Sequence, residues 1–275
     1  MLNHAKHYIS LLTKYPDFKH LNLNVDCKNI FEYSDNHDIN LITLRKTYGI
    51  DDIAIGKDIV DKVIALMEWV HNELFFVGNN INPPYRNSLS ILSVKKQGAL
   101  FCLYQANVLN DVLLSIGIKS RIIRCLPYEY DMDCHVGVIV FIPERNKWLF
   151  FDPTFNTYFT DKIGNPLSIR EIREVYKSCQ IPAFKHIDIK KDWELFMNGI
   201  VCETYDDWYS LYIAKNCFRF ASPKESSFDY NSKDTERTVF LNPTGYQIKN
   251  EYDNNIKNSH LSLYTDDINH FFRIP

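Results

Sequence analysis

The sequence predicts an α+β domain in which a helix packs on an antiparallel β-sheet. Three observations favour this class. Hydrophobic residues make up 45% of the chain and charged residues 24%. These ordinary globular values exclude a disordered chain, a collagen and a simple coiled coil. A helical periodicity runs over Asp58–Phe75, and a second helix followed by three strands is predicted between Leu100 and Asp152.

All 275 residues are assigned to one domain. This length accommodates one large domain or two small ones, and no stretch rich in Pro, Gly or Ser divides the chain into two halves. Within the domain we distinguish an N-terminal cap at 1–57, a core at 58–160 and a C-terminal elaboration of helices and strands at 161–275.

The core begins with the amphipathic helix at Asp58–Phe75, for which Asp58 is the predicted N-cap. Its apolar face consists of Ile59, Val63, Leu66, Met67, Val70 and Leu74. The residues from Val77 to Asn87 contain Asn-Pro-Pro and are predicted as a loop.

A second helix is predicted from about Leu100 to Ser115, and Gly117 supplies its C-cap. Three strands follow, and a polar loop at Tyr128–Asp133 separates the first from the second. The strands are Ile118–Cys125, His135–Ile142 and Lys147–Asp152. The last two form a hairpin around the turn Pro-Glu-Arg-Asn.

Helix signals return after Thr154. Helices are predicted at Leu167–Tyr176, Asp192–Asn198 and Asp206–Phe218. The polar segment Ser222–Thr235 is predicted as a loop and Val239–Pro243 as a strand. We interpret the aromatic residues between Tyr205 and Tyr212 as helix packing. We interpret Arg121 and Arg124 as surface or loop-anchoring arginines.

Cys102 is the strongest candidate for a nucleophile among seven cysteines. It lies in the first turn of the predicted Leu100–Ser115 helix, where the helix dipole stabilises a thiolate. Its backbone N–H is one of the unpaired donors at a helix start and is available to a developing oxyanion. Other cysteines are interpreted as small buried hydrophobic residues; these are Cys125, Cys134, Cys179, Cys202 and Cys217.

The predicted hairpin brings a histidine and a carboxylate to one face. If Ile142 pairs with Lys147 across the turn, His135 lies opposite Thr154. Asp152 then projects from the same face as His135, because side chains alternate with period two. A carboxylate in this position accepts from one ring nitrogen and fixes the tautomer that faces the thiol. Cys134 points to the opposite face, which favours Cys102 as the nucleophile.

The order of these residues resembles the transglutaminase-like branch of the papain-type superfamily, including its bacterial transglutaminase-like members. The shared features are a Cys at a helix start, a strand with Arg, a His at a strand start and the string W-x-x-x-D-P-T. The matching strings are GALFCLYQANVLNDVLLSIGIKSRIIRC and CHVGVIVFIPERNKWLFFDPTFN, between Gly98 and Asn156. The segment Ile64–Phe75 is similar to the helix that precedes the core in this family.

The resemblance implies a papain/transglutaminase-like core in which the nucleophile helix packs on an antiparallel sheet. It assigns Cys102 as nucleophile, His135 as base and acid, and Asp152 as the orienting carboxylate. A side-chain amide before the Cys serves as oxyanion donor in papain-type enzymes, and Gln97 is placed for that role. Two departures concern glycines: Gly98 lies four residues before the Cys rather than two, and Gly137 stands where the family commonly has Trp.

The reaction that these residues imply is acyl transfer through a thioester. The partners are an acyl donor, which is a small molecule, a peptide or a carrier-protein thioester, and an acceptor. We expect an amine acceptor and amide formation, as in transglutaminase-like amide synthases. The alternatives are a cysteine peptidase or amidase, in which water is the acceptor, and an inactive scaffold that binds peptides or proteins. A zinc enzyme is a remote third.

Composition excludes several other classes of function. The net charge is −3 and the sequence has no basic stripe, so we expect no nucleic-acid partner. No GxGxxG or GxxxxGK[ST] string, zinc-ligand spacing or EF-type loop occurs, so we expect no cofactor and no metal. No apolar run is long enough for a membrane span and the N-terminus lacks the apolar core of a signal peptide. We therefore expect a cytoplasmic protein with reduced thiols.

Overall fold

The computed structural model describes residues 2–21, 30–75, 78–129, 134–186, 196–197, 200–228, 237–247 and 262–275. The helices are α1 (Leu2–Lys14), α2 (Ile39–Thr47), α3 (Ile50–Ile53), α4 (Ile59–Leu74), α5 (Ser88–Ser93), α6 (Cys102–Ser115), α7 (Ile169–Lys177), α8 (Tyr205–Asn216) and α9 (Ile268–Phe271). The strands are β1 (Glu32–Tyr33), β2 (Ser120–Leu126), β3 (His135–Ile142), β4 (Lys147–Asp152), β5 (Thr157–Thr160), β6 (Ala183–His186), β7 (Phe196–Met197), β8 (Ile200–Val201), β9 (Arg219–Pro223), β10 (Glu225–Ser226), β11 (Thr238–Leu241) and β12 (Ser262–Thr265).

An eight-stranded sheet organises the described part of the chain, in the order β12-β11-β9-β2-β3-β4-β5-β6. Its pairs are antiparallel except β11 with β12, which are parallel. The sheet is therefore mixed, and its central hairpin β3–β4 is antiparallel as predicted. The described part of the chain therefore has a mixed α/β architecture with helices packed on the sheet.

Both faces of the sheet are buried, which explains why its central strands are apolar along their whole length. On one face, Ile122, Val138 and Leu149 pack in the core that contains α4 and α6. On the other face, Ile139 and Phe150 pack in the core that contains α7 and α8. Because each fully buried large apolar side chain contributes roughly 2 kcal/mol, these two cores fix the position of the helices on the sheet.

Helix α6 is a central element of the first core. It packs on β2 and β3 and contacts α2, α4 and α5. Every side chain from Tyr104 to Ser115 is buried. The helix is therefore held on all sides, and its first residue, Cys102, has a fixed position relative to the start of β3.

Several predicted elements are confirmed. Asp58 caps α4 by accepting from the backbone N–H of Asp61. The hairpin has the expected register, since Ile142 pairs with Lys147 and Val138 with Phe151. The predicted helices at Leu167–Tyr176 and Asp206–Phe218 correspond to α7 and α8, and the predicted strand at Val239–Pro243 corresponds to β11, although it is not the final strand because β12 follows it.

Three sequence interpretations need correction. The predicted loop Ser222–Thr235 was wrong at its start, because β9 continues to Pro223 by pairing with β11 and β10 pairs with β1. Within the predicted helix Asp192–Asn198 the structure describes only the strand Phe196–Met197, and the rest lies outside the described residues. Arg121 is fully buried rather than at the surface, because an aromatic cage that includes Phe31 and Phe271 encloses its guanidinium.

No helix in the described part of the chain is long and apolar enough to cross a membrane.

Candidate active site

Cys102 is the first residue of α6. Phe101 precedes it in an extended conformation and supplies no side-chain cap. The first N–H groups of a helix have no partner within the helix, so the backbone around Cys102 presents donors at the point where the thiol leaves the helix. The Cys102 side chain is only partly buried, which leaves the sulfur accessible.

His135 begins β3, and Asp152 ends β4. The His135 Nε2 atom lies 2.6 Å from Asp152 Oδ2, and both side chains are almost completely buried. The sheet register holds His135 from its other side as well, because it pairs with Cys125 of β2. The histidine and the carboxylate predicted to share a face therefore meet directly.

Cys102 and His135 line the same cleft, and the Cys102 side chain is close enough to the His135 ring to affect its pKa. Because Nε2 is bound to Asp152, Nδ1 is the ring nitrogen available to the sulfur. Burial opposes protonation of His135, but the charge and hydrogen bond of Asp152, together with the Cys102 side chain, outweigh it and raise the pKa of His135 to about 10. A protonated imidazole beside a cysteine sulfur favours the thiolate, so this arrangement suits a nucleophilic cysteine.

Asp152 is surrounded by hydrogen-bond donors. Its Oδ1 atom accepts from the backbone N–H groups of Thr154 at 3.1 Å and Phe155 at 3.4 Å. Its Oδ2 atom accepts from the Tyr209 hydroxyl at 2.8 Å in addition to His135. These four donors compensate the desolvation of a buried carboxylate.

Aromatic rings fix the orientation of the imidazole. The rings of Phe155 and Tyr212 each lie 5.3 Å from that of His135. Tyr212 stacks on Trp208 of the same helix with an interplanar angle of 8°. Helix α8 therefore packs directly on the catalytic face of the hairpin.

A cleft of about 350 Å³ opens at Cys102 and His135. Most of its walls are apolar or aromatic and include Leu74, Phe75, Leu100, Phe101, Phe155 and Tyr212. Two polar side chains in the walls have an unsatisfied buried atom: Gln105 Oε1 and Thr154 Oγ1. Because Gln105 donates its Nε2 to the carbonyl of Leu100, the free atom of this amide is an acceptor.

The structure does not bring Gln97 to the cleft. Gln97 lies in a turn after α5, where its backbone N–H bonds to Val94 and Lys96 has a positive φ of 65°. Its side chain is exposed and its Nε2 reaches the carbonyl of Ser93 at 3.5 Å. Gln97 is not among the residues that line the cleft, so its role as an oxyanion donor stays a prediction from the resemblance.

Sequence reasoning did not identify Gln105, Tyr209 or Tyr212 as parts of the site. Gln105 lies three residues after Cys102, and therefore on the same face of the helix. That spacing was a usable signal. Tyr209 and Tyr212 lie on a helix far along the chain, and their aromatic cluster is interpreted from the sequence as helix packing in preference to a substrate platform. It is packing, but it also contacts His135 and Asp152.

The remaining cysteines differ in exposure. Cys179 is exposed, Cys134 is partly buried, and Cys125, Cys202 and Cys217 are buried. Cys27 lies outside the described residues. In the part of the chain that the structure describes, no three His, Cys, Asp or Glu side chains are grouped so that they could hold a metal ion.

Comparisons with solved structures give partial similarity. One is a proposed cysteine protease from Cytophaga hutchinsonii, at 15% identity over 50% of this chain and 46% of that chain, with a TM-score of 0.33. Another is a proposed protease from Parabacteroides distasonis, at 16% identity over 46% of this chain and 30% of that chain, with a TM-score of 0.27. The chain thus spans less than half the length of either protein. No curated protein matches it.

A family model does match. Residues 51–153 fit the core of the transglutaminase-like superfamily. This range contains α4, α6, β2, β3 and β4, and with them Cys102, His135 and Asp152. Residues 51–153 of this chain are therefore similar to the core of the transglutaminase-like superfamily.

Proposed function

We propose that this protein catalyses acyl transfer through a thioester on Cys102. The observation that carries the proposal is that Cys102 and His135 line one cleft while the His135 ring contacts Asp152 at 2.6 Å. In this arrangement a nucleophile lies beside a base, and the base is oriented by a third group. The transglutaminase-like core and the cleft at Cys102 support the same reaction class.

The first half-reaction forms the thioester. The Cys102 thiolate attacks the acyl carbon of the donor, and the backbone N–H groups at the start of α6 stabilise the oxyanion. As the intermediate collapses, His135 gives its Nδ1 proton to the leaving group. Asp152 keeps the ring oriented through its hydrogen bond with Nε2. The products are the acyl-enzyme and the protonated leaving group.

The second half-reaction transfers the acyl group to the acceptor. His135, now neutral, takes a proton from the acceptor as the acceptor attacks the thioester carbon. Collapse of this intermediate breaks the bond between carbon and sulfur and restores the thiolate–imidazolium pair. We propose an amine as the acceptor and an amide as the product. The mostly apolar walls of the cleft favour a ligand with an apolar body over bulk water.

Hydrolysis is the second candidate function. Cys102 is partly exposed and the cleft is open, so water can reach a thioester there. The two functions share the first half-reaction and differ only in the acceptor. They can therefore be separated by following the fate of one acyl-enzyme.

The test uses intact-protein mass spectrometry with N-acetylcysteamine thioesters of apolar acids. We expect one acyl adduct, mapped to Cys102, which is present in Cys134→Ser and absent in Cys102→Ala. Benzylamine added to the acyl-enzyme should then release amide faster than buffer alone releases acid. Release of acid only would identify a hydrolase. If no donor acylates Cys102, the proposed function is wrong and the scaffold alternative stands.

A further inference from the structure

We infer that Tyr209 is a positioning residue that sets how tightly Asp152 holds the proton of His135. Tyr209 lies on α8, outside the family core at 51–153. Its role rests on the proposed use of His135 as a proton carrier.

The geometry places two donors on one oxygen. Asp152 Oδ2 accepts from His135 Nε2 at 2.6 Å and from the Tyr209 hydroxyl at 2.8 Å. A hydrogen bond to a carboxylate disperses its negative charge. The Tyr209 hydroxyl therefore lowers the attraction between this oxygen and the imidazolium proton.

Tyr209 is built to remain a donor. Its side chain is completely buried, and burial together with the charge of Asp152 raises the pKa of Tyr209 well above its ordinary value. The phenol therefore stays protonated at neutral pH and can donate to Asp152. Its ring stacks on Phe159 and Tyr205, so the hydroxyl is fixed in position.

This arrangement matters because His135 must both lose and regain a proton in each cycle. Without the Tyr209 hydroxyl, Asp152 Oδ2 would keep only the hydrogen bond from His135 Nε2, and that bond would strengthen. The imidazolium would become a weaker acid, and protonation of the leaving group would slow. The thiolate–imidazolium pair itself would persist, so alkylation of Cys102, which needs no proton donor, would not slow.

The experiment compares Tyr209→Phe with the wild-type protein. We expect the His135 Nε2–H proton to move downfield in the NMR spectrum at pH 7, because its bond to Asp152 tightens. We expect kcat for acyl transfer to fall about tenfold with KM unchanged, while the rate of alkylation by iodoacetamide changes less than twofold.

The matched control is Tyr176→Phe. The Tyr176 side chain is also completely buried, and its hydroxyl bonds to α8 through the carbonyl of Ser210 at 3.0 Å. Like Tyr209→Phe, Tyr176→Phe removes only a buried phenol oxygen. We expect neither the His135 Nε2–H resonance nor kcat to change.

An unshifted resonance with unchanged kcat in Tyr209→Phe would overturn the inference. So would equal losses of alkylation and acyl transfer, because they would indicate general damage to the site. If Tyr209→Phe fails to fold, 3,5-difluorotyrosine at position 209 keeps the ring and strengthens the donor; the resonance should then move upfield. The chemical shift of the His135 Nε2–H proton can be measured without catalytic turnover. It therefore tests the role of Tyr209 even if the wild-type protein transfers no acyl group.

Discussion

At the scale of single residues, the neighbours of Asp152 determine what can replace it. Each hydrogen-bonding partner of its two oxygens is a donor: His135, Tyr209 and the backbone N–H groups of Thr154 and Phe155. An amide at this position has only one oxygen. The NH₂ group that replaces the other oxygen would face one or more of these donors and could not accept a hydrogen bond from them.

We therefore predict that Asp152→Asn loses both stability and activity. Leaving buried donors unpaired costs about 1–3 kcal/mol, which urea denaturation would detect. Loss of the carboxylate charge lowers the pKa of His135, because the burial that opposes its protonation remains. The rate of acyl transfer should fall at least about 100-fold. Asp152→Asn with wild-type rates would contradict the orienting role of the carboxylate.

At the scale of elements, the site depends on where a helix and a hairpin begin. Helix α6 and the hairpin β3–β4 were predictable, because their apolar periodicity and turn residues are local signals. The register of the hairpin followed from its turn and correctly brought His135 to Asp152. Tyr209 was not predictable in this way, because nothing in its own segment indicates which strand α8 will cover.

Gly98 belongs to the element that forms one wall of the cleft. A Cβ atom at this position would lie 2.4 Å from the Ile81 side chain and 2.7 Å from the backbone oxygen of Asn79. Two backbone hydrogen bonds join residues 79–81 to Ala99. The Ala99 N–H donates to the carbonyl of Asn79, and the Ile81 N–H donates to the carbonyl of Ala99. A side chain at 98 would push these two backbone segments apart.

We predict that Gly98→Ala destabilises the protein by about 1–3 kcal/mol and raises KM for the acyl donor, since Asn80 and Ala99 line the cleft. Thermal unfolding and steady-state kinetics measure the two effects. A loss of stability with unchanged kinetic constants would show that this segment does not shape the donor site.

At the scale of the whole molecule, the buried ion pair couples the site to the stability of the fold. The pKa of His135 is about 10 in the folded protein against an ordinary value of 6.5. Its contribution to stability is therefore complete below pH 6.5 and is lost as the pH rises towards 10. Burial raises the pKa of Cys125 as well, which adds to the loss above its ordinary value of 9.0.

We predict that the free energy of unfolding of Cys102→Ala falls between pH 6.5 and 9.0, because the histidine then titrates without a thiol partner; the slope is at most about 1.4 kcal/mol per pH unit from one proton. Urea denaturation over this range measures the slope. In the double variant Cys102→Ala/His135→Gln the slope should become smaller. Equal slopes in the two proteins would mean that His135 is not protonated in the folded state.

The overall architecture was predictable only in part. The α+β class followed from composition and periodicity, and the core between 58 and 160 contains the predicted helices and strands. Strands β9, β10 and β12 were harder to predict, because short strands gain their stability from pairing with distant segments. Arg121 illustrates the same limit, since only the folded molecule brings together the aromatic rings that enclose it.

The most direct test of the central claim compares the reactivity of the cysteines. Cys179 is exposed whereas Cys102 is partly buried, so accessibility alone predicts that iodoacetamide labels Cys179 first. If His135 holds a thiolate at position 102, peptide mapping after brief labelling at pH 6 should find Cys102 labelled much faster than Cys179, and His135→Ala should remove this difference. Faster labelling of Cys179 in the wild-type protein would contradict the account.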